Sequence, residues 1–366
     1  MINKPNVIDL FCGCGGFSKG FDMAGFEILL GIDLWKDATV TYKNNFPNAV
    51  VLNQDITTIN GETLIEHIRK ISSDRIDVII GGPPCQGFSL SGKRMQDDPR
   101  NKLYKSFVEI VGEIKPKIFV MENVPGLVRL FDGKIKNEII QDFSSLGYKV
   151  EMQLLSADNY GVPQQRKRVF FVGTNSNYFD DTVEFNFPRP INGVDSGLIP
   201  PVTCQDAISD LDFVPDDIAL PECIEYQMPS QSKYQKMMRL GSTSVHNHSI
   251  TLHKQRTKEI IAMVPDGGNY KDLPETLWQT RKVNIAWTRM NSQKPCFTID
   301  TGHNHHFHYR ANRVPSVRES ARIQSFPDTF KFTGIKTSQL KQVGNAVPPL
   351  LAESIAHEIK RILDKE

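Results

Sequence analysis

Seven short apolar runs in the first 175 residues constrain this chain most. They cover residues 7–11, 28–33, 50–55, 76–80, 117–122, 150–155 and 169–173, and they are rich in Val, Ile, Leu and Phe. Runs of this length and composition read as strands, and residues 76–80 as a buried one. Segments with helical apolar spacing separate several of them, near residues 18–24, 62–71, 103–114 and 135–146. Strand and helix in alternation predict an α/β fold, a doubly wound and mostly parallel sheet. Such sheets carry ligands beyond the carboxyl ends of their strands. Three of the runs end in carboxylates there: Asp33, Asp55 and Glu122.

The alternation fades after Thr174. Residues 180–314 are rich in Pro, Gly, Asn and Ser and read as a smaller, irregular domain. Helical spacing returns near residues 318–324 and 350–363, so residues 1–179 and 315–366 are expected to form one α/β domain. The net charge of +1 is uninformative, but its distribution is not. Residues 180–225 hold eleven acidic residues and one Arg, a net −10, whereas residues 226–322 hold fifteen Lys/Arg and six acidic residues, a net +9. Seven of the nine His fall in the basic segment. That asymmetry suits a surface facing a polyanion, or a solvated basic face. The start of the chain has no apolar stretch like that of a signal peptide, and no run approaches a membrane span, so no membrane partner is expected. Six cysteines without paired spacing read as reduced thiols of a cytosolic protein.

Residues 81–89, Gly-Gly-Pro-Pro-Cys-Gln-Gly-Phe-Ser, follow the fourth run. Alone, Cys85 would be a packed thiol in a tight turn. Two prolines and three glycines instead shape a loop that holds the thiol at a defined place past a strand end. A thiol with pKa near ~8.5 is a modest nucleophile at neutral pH. Glu122, at the tip of the next run, would raise that pKa if ionised, and it is better suited to partner a ring nitrogen. Gln164 to Arg168 bring guanidinium donors before the last run; a surface ion-pair cluster is the plainer reading of Arg166 and Arg168. After the first run, residues 9–17, Asp-Leu-Phe-Cys-Gly-Cys-Gly-Gly-Phe, form a glycine turn that admits a ligand close to the backbone. It lacks both the nicotinamide spacing and the Gly-Lys-Ser/Thr of a phosphate loop. Acidic strand tips beside it suit ribose hydroxyls, as in a nucleoside without phosphates.

Together these motifs resemble the DNA cytosine-5 methyltransferases. The likeness rests on residues 9–16, 82–89, Glu122-Asn123-Val124, 164–168, 318–327 and 342–349, all in the family's order, and spans residues 5–174 and 315–355. The bacterial restriction–modification enzymes are the nearest match. The resemblance implies a Rossmann-like, S-adenosylmethionine-dependent methyltransferase domain, with residues 180–314 as target-recognition domain. It implies double-stranded DNA as substrate, S-adenosylhomocysteine as product, a genetic partner endonuclease and a monomeric enzyme. Cys85 would add to C6 of a flipped cytosine, and Glu122 would bond N3 and the exocyclic amine. Arg168 would hold O2, and Arg166 would support Glu122 or a phosphate. Cofactor positions map to Phe11, Cys14, Gly16, Asp33, Leu34, Asp55, Ile56, Pro84, Leu103, Asn345 and Val347. Relatives often have an aromatic residue where Leu34 stands, which leaves Phe11 to supply a ring face. Residues 86–100 would close on DNA, with Ser89, Ser91, Lys93 and Arg94 contacting it. In the irregular segment, Arg281, Arg289, Asn304 and Arg310 are candidate base readers. The run 303–308, His-Asn-His-His-Phe-His, reads as a DNA loop, a surface loop or, last, a metal cluster. A transfer-RNA methylase is disfavoured by Ser89, where that enzyme type carries Thr. A non-catalytic paralogue is disfavoured by intact Cys85, Glu122 and Arg168.

Overall fold

A computed structural model describes residues 4–69, 75–84, 101–180, 182–195, 197–212, 222–280, 287–299 and 306–365. By contact the chain divides into two compact units: Met1–Ser156 with Lys167–Arg189 and Pro349–Glu366, and Ala157–Arg166 with Pro190–Pro348.

The first unit is built on seven strands: β1 (Asn6–Leu10), β2 (Glu27–Asp33), β3 (Val50–Asn53), β4 (Val78–Gly81), β5 (Ile118–Asn123), β6 (Tyr148–Ser156) and β7 (Lys167–Asn175). Their order is β3-β2-β1-β4-β5-β7-β6. The pairs β1–β2, β2–β3, β1–β4 and β4–β5 are parallel, and β7 runs antiparallel to β5 and β6. The order reverses between β1 and β4, so the chain leaves two adjacent strand ends in opposite directions. That is the switch point where open α/β sheets bind ligands.

Helices α1 (Gly16–Met23), α2 (Lys36–Asn45), α3 (Gly61–Ile68), α4 (Asn101–Ile114) and α5 (Lys134–Ser145) connect the strands. Strand side chains alternate between the faces. Ile8, Leu10, Ile79, Phe119, Met121 and Phe171 join one core with Leu64 and Ile68 of α3, Phe107 and Ile110 of α4, and Ile139 and Phe143 of α5. The other face meets α1, where Phe17 packs edge-on to Phe170. The doubly wound, mostly parallel sheet is therefore as expected; α2 lacks an apolar stripe, and the expected helices did not include it.

The second unit contains α6 (Cys204–Ile208), the antiparallel pair β8 (Cys223–Glu225) and β9 (Ser244–His246), α7 (Lys233–Met238), α8 (Gln255–Met263), the parallel pair β10 (Thr288–Arg289) and β11 (His306–Phe307), α9 (Val317–Ile323) and α10 (Lys336–Asn345). A last helix, α11 (Pro349–Leu363), packs on α1 in the first unit. Residues 157–166 and 315–348 thus belong to the second unit, whereas the sequence placed both with the α/β domain. The reason is a buried charge network. Arg322 of α9 pairs with Asp328 at 2.6 Å and Asp210 at 3.1 Å, and Arg313 pairs with Glu319 at 2.6 Å. All five side chains are at most 1% exposed, so each needs its partner. Among the described residues no helix is long and apolar enough to cross a membrane.

Candidate active site and glycine turn

Strand register places the chemical groups of the first unit. Gly81 of β4 pairs with Met121 of β5, so Gly82 stands beside Glu122. Glu122 pairs with Phe170 of β7, and Arg168 shares the face of Phe170, two residues away. Arg168 is thus the diagonal neighbour of Glu122, and its Nε lies 2.8 Å from Glu122 Oε1 with both side chains 14% exposed. The Nη1 of Arg168 donates to its neighbour's carbonyl, Lys167 O, at 2.8 Å. A Cβ on Gly82 would stand 2.9 Å from Glu122 Oε2, so the loop passes close beside this carboxylate. Asn123 Nδ2 donates to Pro83 O at 2.9 Å and ties the Pro83-Pro84 segment to the end of β5. Cys85 follows directly in the chain and lies outside the described residues, as do Ser89, Ser91, Lys93, Arg94, Arg281 and Asn304.

The glycine turn forms a second candidate site, between β1 and β2. Phe11 has φ 64, in the left-handed region that a bulky residue adopts only where its surroundings impose it. Cys12 N donates to Ile32 O at 3.0 Å, and Gly15 N to Cys12 O at 2.9 Å, which hold the turn. Asp33 ends β2 with its Oδ2 accepting from Gly13 N at 2.9 Å and Oδ1 from Trp35 N at 2.8 Å. Burial raises its pKa, and these amides oppose that rise. Leu34, beside it, is 68% exposed, an apolar cover at the strand tip. Asp55 caps the short turn after β3, accepting from Thr57 N at 2.9 Å, with Ile56 buried behind it. Leu103 leans on the sheet core. Burial drives the Cys12 thiol well up and the Cys14 thiol up to about 12, which disfavours their thiolates.

Arg166 differs from expectation. It belongs to the second unit, is 1% exposed, and donates from Nη2 to Gly344 O at 2.9 Å and from Nη1 to Ile299 O at 3.3 Å. Gln164 accepts from Ile299 N at 2.9 Å, and Gln324 Nε2 donates to Ala346 O at 2.5 Å. The motifs around 164–166, 324 and 342–347 thus hold one another. Asn345, exposed, closes α10, and Val347 is buried just after it.

Arg289 is corrected too. It is 4% exposed, and its guanidinium donates to Val264 O at 2.8 Å, Ile261 O at 2.5 Å, His308 O at 3.0 Å and Asn312 Oδ1 at 2.9 Å. It braces the second unit and offers no donor to a base edge. Arg310 is 74% exposed and only 3.6 Å from Asp212 Oδ2. Arg289, Arg313, Arg318 and Arg322 are all buried, so the basic segment presents less positive surface than its residue count suggests.

Among the described residues one trio has metal-ligand character: Asp212, His308 and Glu319. His308 Nδ1 accepts from Arg310 N at 3.1 Å and Ala311 N at 3.0 Å, so its proton sits on Nε2. That Nε2 lies 2.9 Å from Asp212 Oδ1, off-line, and Arg313 grips both oxygens of Glu319. A metal at Nε2 would need the proton on Nδ1, against two amide donors.

Known proteins resemble this chain along its whole length. The profile of the family described as C-5 cytosine-specific DNA methylase matches residues 5–361. The chain is 42% identical to the Type II methyltransferase M.DdeI of Desulfomicrobium norvegicum, over 97% of this chain and 88% of that one. It is 33% identical to the Type II methyltransferase M.AgeI of Thalassovita gelatinovora, over 97% of this chain and 99% of that one. Among solved structures, a prophage-encoded protein described as a DNA modification methyltransferase (E. coli) superposes with TM-score 0.80 at 29% identity, covering 99% and 100% of the two chains. A Spodoptera frugiperda DNMT2 mutant shares the fold at TM-score 0.58 and 18% identity, covering 99% and 100%.

Proposed function

The chain belongs to the C-5 cytosine-specific DNA methylase family, and on that premise we propose that it methylates C5 of a specific cytosine in double-stranded DNA through a covalent Cys85–C6 adduct on a flipped base. The observation that carries this reading is the Glu122–Arg168 pair at 2.8 Å, beside Gly82 and the tethered Pro83.

C5 of cytosine is not nucleophilic until C6 is saturated. The Cys85 thiolate forms a bond to C6, and electron density moves through the ring to C5 while a protonated Glu122 carboxyl donates its proton to N3 and accepts from the exocyclic amine. Arg168 keeps the carboxyl group aimed and offers its remaining N–H groups to O2. When bound, S-adenosylmethionine supplies the electrophilic methyl group that C5 takes up. The C5 proton then leaves to a base, the C5–C6 double bond re-forms and the S–C6 bond breaks, returning Cys85. Stacking inside a duplex would block the thiol's approach to C6, so the base must leave the helix.

For the cofactor, the reading assigns Asp33 and Asp55 to hydroxyl and amine donors, the Phe11–Gly16 turn to the amino-acid moiety, and Leu34, Ile56, Pro84 and Leu103 to apolar cover. The donor chemistry fits: amide-braced carboxylates accept from hydroxyls, and the turn has no phosphate-binding signature. The second unit would choose the DNA sequence, with Arg310 as a base reader. By analogy with the Type II relatives, the protein would protect DNA from a partner endonuclease.

Bisulfite sequencing of plasmid from expressing cells tests the reaction; plasmid without 5-methylcytosine at any repeated site would refute it. DNA with 5-fluorocytosine at the target tests the adduct. Fluorine does not leave as a cation, so a covalent complex stable on a denaturing gel is expected, and Cys85→Ser should not form it while still binding DNA.

A further inference from the structure

Helix α2 carries a group that neither the resemblance nor the catalytic reading uses. Tyr42 is wholly buried, and its hydroxyl lies 2.8 Å from Ser18 Oγ of α1. Ser18 Oγ is hydrogen-bonded to Asp9 Oδ2 of β1 at 2.6 Å. The three groups thus form a continuous chain from α2 through α1 to β1. Ser18 and Asp9 are 0% and 1% exposed.

The ring of Tyr42 is placed as tightly as its hydroxyl. A Cβ on Gly31 of β2 would stand 2.5 Å from Tyr42 Cζ, and a Cβ on Gly15 would stand 3.0 Å from Tyr42 Cδ2. Phe46 backs the ring with centroids 4.6 Å apart. Tyr42 is thus wedged between the glycine turn and β2, two residues before Asp33. The turn and Asp33 meet through the Gly13 N–H to Asp33 Oδ2 bond of 2.9 Å.

We propose that Tyr42 is a positioning residue for the cofactor: through Ser18 and Asp9 it sets the spacing between the Phe11–Gly16 turn and the Asp33 carboxylate without touching the ligand. The inference rests on the cofactor reading above. Packing alone would be served by phenylalanine; the hydroxyl adds the directional tie. Burial pushes the Asp9 carboxyl up to about 8, so at neutral pH the chain ends on a largely neutral acid and needs no counter-charge.

The test compares wild type, Tyr42→Phe and Ser18→Ala, which cut the chain at successive links. Calorimetric titration with S-adenosylmethionine is paired with initial rates on DNA. Both variants are expected to weaken cofactor affinity and raise its KM by about fivefold, the worth of one buried hydrogen bond. Their kcat at saturating cofactor should fall less than KM rises, and DNA band shifts should match wild type. Wild-type cofactor affinity in either folded variant overturns the inference. So does a lowered melting temperature with equal losses in kcat and affinity, which marks a packing role alone. A wild type that binds no S-adenosylmethionine overturns the cofactor reading itself, and this inference with it.

Discussion

Arg166 and Arg168 stand two residues apart in one basic motif and have opposite surroundings. Arg168 faces Glu122 at 2.8 Å, whereas Arg166 is buried on the carbonyls of Gly344 and Ile299. Arg168→Ala should leave the fold intact and lower kcat about 10²-fold, as for loss of one oriented charged donor; single-turnover rates on target DNA would measure it. Arg166→Ala should act on stability, read as a lower melting temperature. A second pair separates the same way. Arg289→Ala strands several buried carbonyls and should cost on the order of 3 kcal/mol of stability. Arg310→Ala should leave melting unchanged and relax one position of the recognised DNA by about 1–3 kcal/mol, seen by methylation of a randomised-site library. An Arg that keeps water and one that fills carbonyls look alike in a sequence, because what differs is the number of acceptors folded around each.

At the scale of elements, buried titratable groups give the two units opposite pH responses. Asp9, in β1, is pushed up to about 8 by burial. A carboxyl raised above its ordinary value stabilises the fold below that value, and the contribution fades as pH climbs through the folded value. The first unit should therefore melt lower at about pH 9 than at about pH 6, and Asp9→Asn should flatten that slope. His248 is the reverse case. It accepts from Ser316 Oγ at 2.7 Å and donates to Leu211 O at 3.2 Å, and burial pushes it down to about 4. Its contribution is present above its ordinary value of ~6.5 and is lost as pH falls toward 4. His248→Gln should remove that acid-side loss in denaturation curves. The strands were legible because most carry a short cluster of aliphatic or aromatic residues, such as Val78-Ile79-Ile80 in β4 and Val169-Phe170-Phe171-Val172 in β7. Helix α2, Lys-Asp-Ala-Thr-Val-Thr-Tyr-Lys-Asn-Asn, was not. Only four of its residues are buried, two of them threonines, so its pattern shows no stripe.

For the whole molecule, specificity should travel with the second unit as contacts define it. A chimera exchanging only residues 180–314 with a relative would separate Asp210 from Arg322 and Arg313 from Glu319, pairs that are buried on both sides. It should express as insoluble or low-melting protein, since a buried charge without its partner costs about 3–5 kcal/mol. Exchanging 157–166 together with 190–348 keeps the network whole and should carry the donor's methylation pattern, read by bisulfite sequencing. The alternation of buried runs and helices, with carboxylates at three strand tips, was enough to determine the doubly wound sheet and to put Asp33, Asp55 and Glu122 at its carboxyl edge. Local periodicity and strand ends are properties of consecutive residues, so the chain alone states them. Tertiary structure alone decided that α9 and α10 belong with the irregular unit, that Arg168 pairs with Glu122 while Arg166 is buried on backbone carbonyls, and that Arg289 is a brace. Each of these depends on which distant carbonyl or carboxylate surrounds a charge after folding, and no pattern of neighbours along the chain encodes that.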